Sequence, residues 1–168
     1  RSVIKAGKTV MANPRDYEAR AVLMLSSSLS HNGITGIGKK TGMPVHQLEH
    51  ALSGLYPHVA HAAGLAVLFP AWAKYYLPYD MDKFDQLARN VFDSHLKDKT
   101  ENAKNGIKLL EEYFHFLHMP ENYHDLQIEN VDIEQLVNKL TDGGTRVIDH
   151  HIKPIDQEVA YAIYKSCL

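Results

Sequence analysis

Residues 43–70 read MPVHQLEHALSGLYPHVAHAAGLAVLFP, an apolar stretch carrying His46, His50, His58 and His61 where a helical core would place leucine or valine. A buried histidine costs free energy unless both ring nitrogens find partners. Several together on apolar ground point to one shared partner, and a metal ion is the usual one. His46 and His50 stand four residues apart, on one helical face and about 6 Å apart along its axis. His61 comes fifteen residues after His46, which is about 22 Å along a straight helix. Metal–nitrogen bonds of about 2.0–2.1 Å cannot span that. Pro57, however, disfavours helical geometry at Tyr56 and removes a backbone donor. The spacing therefore predicts a break near residues 56–58 and a second helix folding back with His61 in its first turn. Such a pair makes a two-histidine site possible.

A chain of 168 residues is one ordinary domain, long enough to bury a substantial core. Its net charge of −2 gives no general electrostatic drive toward nucleic acid or an anionic membrane. The single cysteine, Cys167, excludes an internal disulfide framework and fits a reducing compartment, so a cytoplasmic location is expected. The opening RSVIKAGKTVMANP lacks the apolar run of a signal peptide. The longest apolar stretch, 60–77, carries His61, Pro70 and Lys74 and falls short of a membrane span. The chain begins with Arg1 instead of Met, as a piece of a longer protein would.

Helix signals run from end to end. Asn13, Pro14 and Asp16 read as N-cap, first-turn proline and first-turn carboxylate of a helix through Ser30, stopped by His31-Asn32-Gly33. Pro44 starts the next, ending near Tyr56, and a third covers 59–76 with Pro70 expected to kink or divide it. Asp80 caps a helix through His95. Beyond Thr100, the spacing of Ile107, Leu110, Phe114 and Leu117 marks another, ended by Met119-Pro120. Asn130 and Asp132 open a short helix stopped by Gly143-Gly144, and Pro154 begins the last. Residues 146–152 read as a short extended piece. The expectation is an all-α bundle of about seven helices, a single domain over 1–168.

Three motifs invite chemistry. Gly33-x4-Gly38-Lys39 begins like a phosphate-binding loop, but Lys40 stands where Ser or Thr should hold magnesium, and a helix precedes it instead of a strand. The dinucleotide glycine pattern fails at Thr41. A tight turn between helices is the better reading. His46-Gln47-Leu48-Glu49-His50 spells the H-x-x-E-H pattern of inverted zinc peptidases, in which Glu49 would activate water. A downstream acidic ligand would then come from Glu121, Asp125 or Glu129, yet such peptidases use a mixed α/β domain and no sheet is expected here. Ser26-Ser27-Ser28 has no base at obvious spacing. His31, His115, His118, His124, His150 and His151 read as helix-terminal or surface histidines, and the charges of 97–104 as a solvated face.

Four stretches, DYEARAVLMLSSSLSHNGITGIG, MPVHQLEHALSGLY, VAHAAGLAVLFPAWAKYY and KPIDQEVAYAIYKSCL, make nearly the whole chain resemble the iron-containing (group III) alcohol dehydrogenases, in their butanol dehydrogenase-like branch. The resemblance implies the helical C-terminal domain of a two-domain dehydroquinate synthase-like enzyme, whose N-terminal domain binds the dinucleotide. It implies a divalent metal, usually Fe(II) and in some members zinc, held by an aspartate and three histidines. Two of these match His46 and His61. His50 matches a histidine beside the nicotinamide and substrate that is not itself a ligand, so it is the implied catalytic and cofactor-contacting residue. The spacing from His46 to His61 is one residue longer than in many relatives, which makes His58 a competitor, although AAGLAVLFP aligns with His61. The remaining Asp-x-x-x-His ligands and the nucleotide-binding glycines are expected upstream of Arg1.

The implied reaction is hydride transfer between NAD(H) or NADP(H) and a short-chain primary alcohol or aldehyde, in a homodimer with no nucleic-acid or membrane partner. Leu52, Leu55 and Phe69 could shape an aliphatic pocket, with core packing the simpler role. With two of four ligands present, the segment alone is expected to be an inactive helical domain.

Overall fold

The computed structural model describes residues 1–38, 42–148 and 150–168. Lys39, Lys40 and Thr41 of the glycine-rich loop, and Asp149 of the expected extended piece, lie outside the described residues. The described residues form eight α-helices and one 3-10 turn, in two compact units, Arg1–Thr41 and Gly42–Leu168. The all-α expectation holds.

The first unit pairs α1 (Ser2–Ala12) with α2 (Tyr17–His31), burying the small residues Ala6, Gly7 and Ala19, and follows them with a 3-10 turn, Ile34–Gly36. Helix α1 was not expected. Asn13 is its C-cap, donating its backbone N–H to the Thr9 carbonyl at 2.8 Å. The N-cap of α2 is Asp16, whose carboxylate accepts from the Ala19 N–H at 2.8 Å. Gly33, at φ 88°, supplies the left-handed stop after α2.

In the second unit α3 (Pro44–Leu55) folds back on α4 (His61–Tyr76), α5 (Met81–Phe92) pairs with α6 (Lys99–Phe116), and α7 (Ile133–Thr141) with α8 (Gln157–Lys165). Helix α4 also packs on α6 and α8, and α3 on α7. Residues buried along α4 include Gly64, Val67, Leu68, Pro70, Ala73 and Tyr76. Pro70 does not divide α4, which runs as one helix through it. Proline forfeits one helical hydrogen bond, but neighbouring helices hold the residues on both sides of it. Asp98, Asp132 and Asp156 cap α6, α7 and α8 with bonds of 2.8–2.9 Å to the third residue on. Asp80 makes no such bond, and α5 stops at Phe92 because Asp93 turns left-handed at φ 60°.

The last helix begins three residues after Pro154 because Ile155 is held extended, exchanging backbone bonds of 3.0 and 2.9 Å with Ile148. That bridge is what the expected extended piece amounts to. Buried tyrosines tie distant segments to the core. Tyr164 donates to the Leu48 carbonyl at 2.8 Å, Tyr123 to the Tyr164 carbonyl at 3.0 Å and Tyr76 to the Lys153 carbonyl at 2.7 Å. Among the described residues no helix is long and apolar enough to cross a membrane.

Candidate metal centre

Pro44 at the start of α3 suits a helical first turn. From there the helix carries His46, Glu49 and His50 on one side, with Val45, Leu48 and Leu52 in the core. The break falls where Pro57 predicts it. Helix α3 ends at Leu55, Tyr56 leaves helical geometry at φ −121° and ψ 77°, and the Val59 N–H returns to the Tyr56 carbonyl at 2.9 Å. The Tyr56 hydroxyl accepts from the Asp132 N–H at 3.1 Å, anchoring the corner to the start of α7. His61 is the first residue of α4.

The fold-back carries His61 to His46. His46 Nδ1 and His61 Nε2 are 3.1 Å apart, and the rings tilt toward each other with centroids at 5.1 Å. The His50 ring lies 5.3 Å from that of His61 and 6.4 Å from that of His46. One nitrogen from each of the three falls within 4.8 Å of the others, His46 half-buried and the other two exposed. His58 is turned elsewhere, donating from Nε2 to the Leu126 carbonyl at 3.2 Å.

Two nitrogens bound to one tetrahedral ion at about 2.0–2.1 Å lie about 3.3 Å apart. The His46–His61 separation fits that, and imidazole suits iron and zinc alike. Glu121, Asp125 and Glu129 do not join the group among the described residues. Glu121 accepts instead from His115 Nδ1 at 2.5 Å and donates its backbone N–H to Asp125 at 3.0 Å.

Glu49 is the residue whose place sequence reasoning missed. Its side chain is 0% exposed, and Oε2 accepts a hydrogen bond from His61 Nδ1. A carboxylate sealed beneath a histidine cannot reach water on the open side, so the water-activating role read from H-x-x-E-H is lost. Leu52 is fully buried, and Leu55 and Phe69 pack against the core, as their simpler role required. His150 is half-buried, its ring 4.4 Å from that of Tyr76 and 5.9 Å from that of Trp72.

The model of the C-terminal region of the Fe-containing alcohol dehydrogenase family matches residues 1–168. The chain belongs to that family. It is 36% identical over 168 residues to NADH-dependent butanol dehydrogenase A of Clostridium acetobutylicum, covering 99% of this chain and 43% of that one. It is 25% identical over 166 residues to the NADPH-dependent aldehyde reductase YqhD of Escherichia coli, covering 98% and 42%. The crystal structure of NADH-dependent butanol dehydrogenase A from Thermotoga maritima superposes with a TM-score of 0.90 at 28% identity, covering 99% of this chain and 43% of that chain. The chain thus spans less than half the length of these relatives.

Proposed function

We propose that this chain is the metal-binding helical part of an NAD(P)-dependent alcohol dehydrogenase that interconverts short-chain primary alcohols and aldehydes by hydride transfer in the cytoplasm. The observation that carries the reading is the convergence of His46, His50 and His61 across the Pro57 break, in a chain of this family. The names of the butanol dehydrogenase and aldehyde reductase relatives support the substrate class and a nicotinamide cofactor.

In this reading His46 and His61, the closest pair, hold the cation, Fe(II) or zinc, together with ligands from outside the segment. A cation there supplies Lewis acidity toward the substrate oxygen, and the nicotinamide supplies or accepts the hydride. His50 is exposed, with its ring 5.3 Å from that of His61 and 6.4 Å from that of His46, and in this reading it is the histidine on the substrate side. It orients the reacting pair and offers an imidazole for the alcohol proton. The cofactor is held mainly by an N-terminal domain, and residues 1–168 alone are inactive.

The whole enzyme tests the division of labour. His46→Ala should lose bound metal and butanal reduction together. His50→Ala should keep its metal while turnover falls by about 10²–10⁴-fold. Equal metal loss in both variants would contradict these roles.

A further inference from the structure

Glu49 is a charged side chain at 0% exposure, placed by α3 against the first turn of α4. A buried carboxylate is costly unless an ionic or hydrogen-bonded partner compensates it. Its bonded partner is His61, through Nδ1 and Oε2, while Oε1 has no hydrogen-bond partner among the described residues. The space it occupies exists because residue 64 lacks a side chain. A Cβ on Gly64 would stand 2.8 Å from Glu49 Cγ and 2.9 Å from Oε1. Both residues, fifteen apart in sequence, are therefore needed to put one carboxylate behind one imidazole.

We propose that Glu49 is the positioning residue for His61, with Gly64 as the gap that admits it; the proposal rests on the reading of His61 as a metal ligand. A carboxylate accepts only, so Nδ1 of His61 carries the proton and Nε2 presents a lone pair. That Nε2 is the atom facing His46 at 3.1 Å. The hydrogen bond fixes the ring's tautomer and its rotation, and the negative charge makes Nε2 a better donor to a cation. His61 is exposed and is the first residue of its helix, and Glu49 restrains its ring from the buried side.

The test uses the whole enzyme stripped of metal and reloaded with Zn(II), with affinity read by competition against a chromogenic chelator. Glu49→Gln keeps the side-chain volume but removes the charge. Zn(II) affinity should fall about ten- to a hundredfold, with the metal-free Tm unchanged or raised. Gly64→Ala should weaken Zn(II) in the same direction by displacing the carboxylate. The glutamine amide oxygen can still accept from Nδ1, so wild-type affinity in both Glu49→Gln and Glu49→Leu, beside metal loss in His61→Ala, would overturn the positioning role and leave the proposed function standing. Full Zn(II) binding by His61→Ala would overturn both. A lowered Tm with unchanged affinity would make Glu49 a structural contact and end the proposal.

Discussion

Three buried phenols link the chemistry of single residues to the stability of the core. Burial pushes the Tyr76 hydroxyl up to about 12; Tyr75, Asp156 and Tyr79 add to this and Lys153 opposes it. Burial raises Tyr123 and Tyr164 still further. A tyrosine whose pKa is higher folded than unfolded, where it is about 10, contributes stability that is complete below pH 10. That contribution is lost as pH rises through the folded value. Urea unfolding followed across pH should thus show stability falling above about pH 10. Tyr76→Phe should be about 1 kcal/mol less stable at pH 7, having lost its bond to the Lys153 carbonyl, with a shallower decline between pH 10 and 12. The candidate metal site was partly legible at this scale. His46 and His61 stood out as imidazoles on apolar ground, and Pro57 supplied the fold-back. The buried position of Glu49 was hidden, because it depends on the absent side chain of Gly64 across the turn.

Among the elements, α5 and α6 meet at backbone contact. A Cβ on Gly106 would lie 2.8 Å from Ala88 Cβ and 3.0 Å from Ala88 Cα and N, so backbone meets backbone there. Gly106→Ala gains about 1 kcal/mol of helix propensity but incurs overpacking of about 1–3 kcal/mol or more. The backbone of α5 cannot swing aside as a flexible side chain would. Thermal unfolding should show a Tm lower by several degrees; a higher Tm would mean the helices part without cost. Most elements could be read from caps and breakers such as Asp132, Pro44 and Gly33, which act locally. The misreadings came where packing overrules local signals. Helix α1, with Gly7 in its middle and no side-chain N-cap bond, forms against α2. Pro70 breaks nothing inside a well-packed helix, and Pro154 cannot start one while Ile155 is bridged to Ile148.

At the scale of the whole molecule, the segment is a helical scaffold that brings imidazoles from two helices to one place, and its relatives are more than twice its length. Helix α2 and the turn after it leave the apolar side chains of Met24, Leu25, Ile34 and Ile37 exposed. The account's central claim is that His46 and His61 share one cation while His50 stands beside it. Anomalous diffraction at the iron and zinc edges, from crystals of the whole metal-loaded enzyme, tests this most directly. The predicted result is a single peak about 2.1 Å from a nitrogen of His46 and of His61, with the His50 ring outside bonding distance. A peak bonded to His50, or one that leaves either His46 or His61 unbound, would contradict the account.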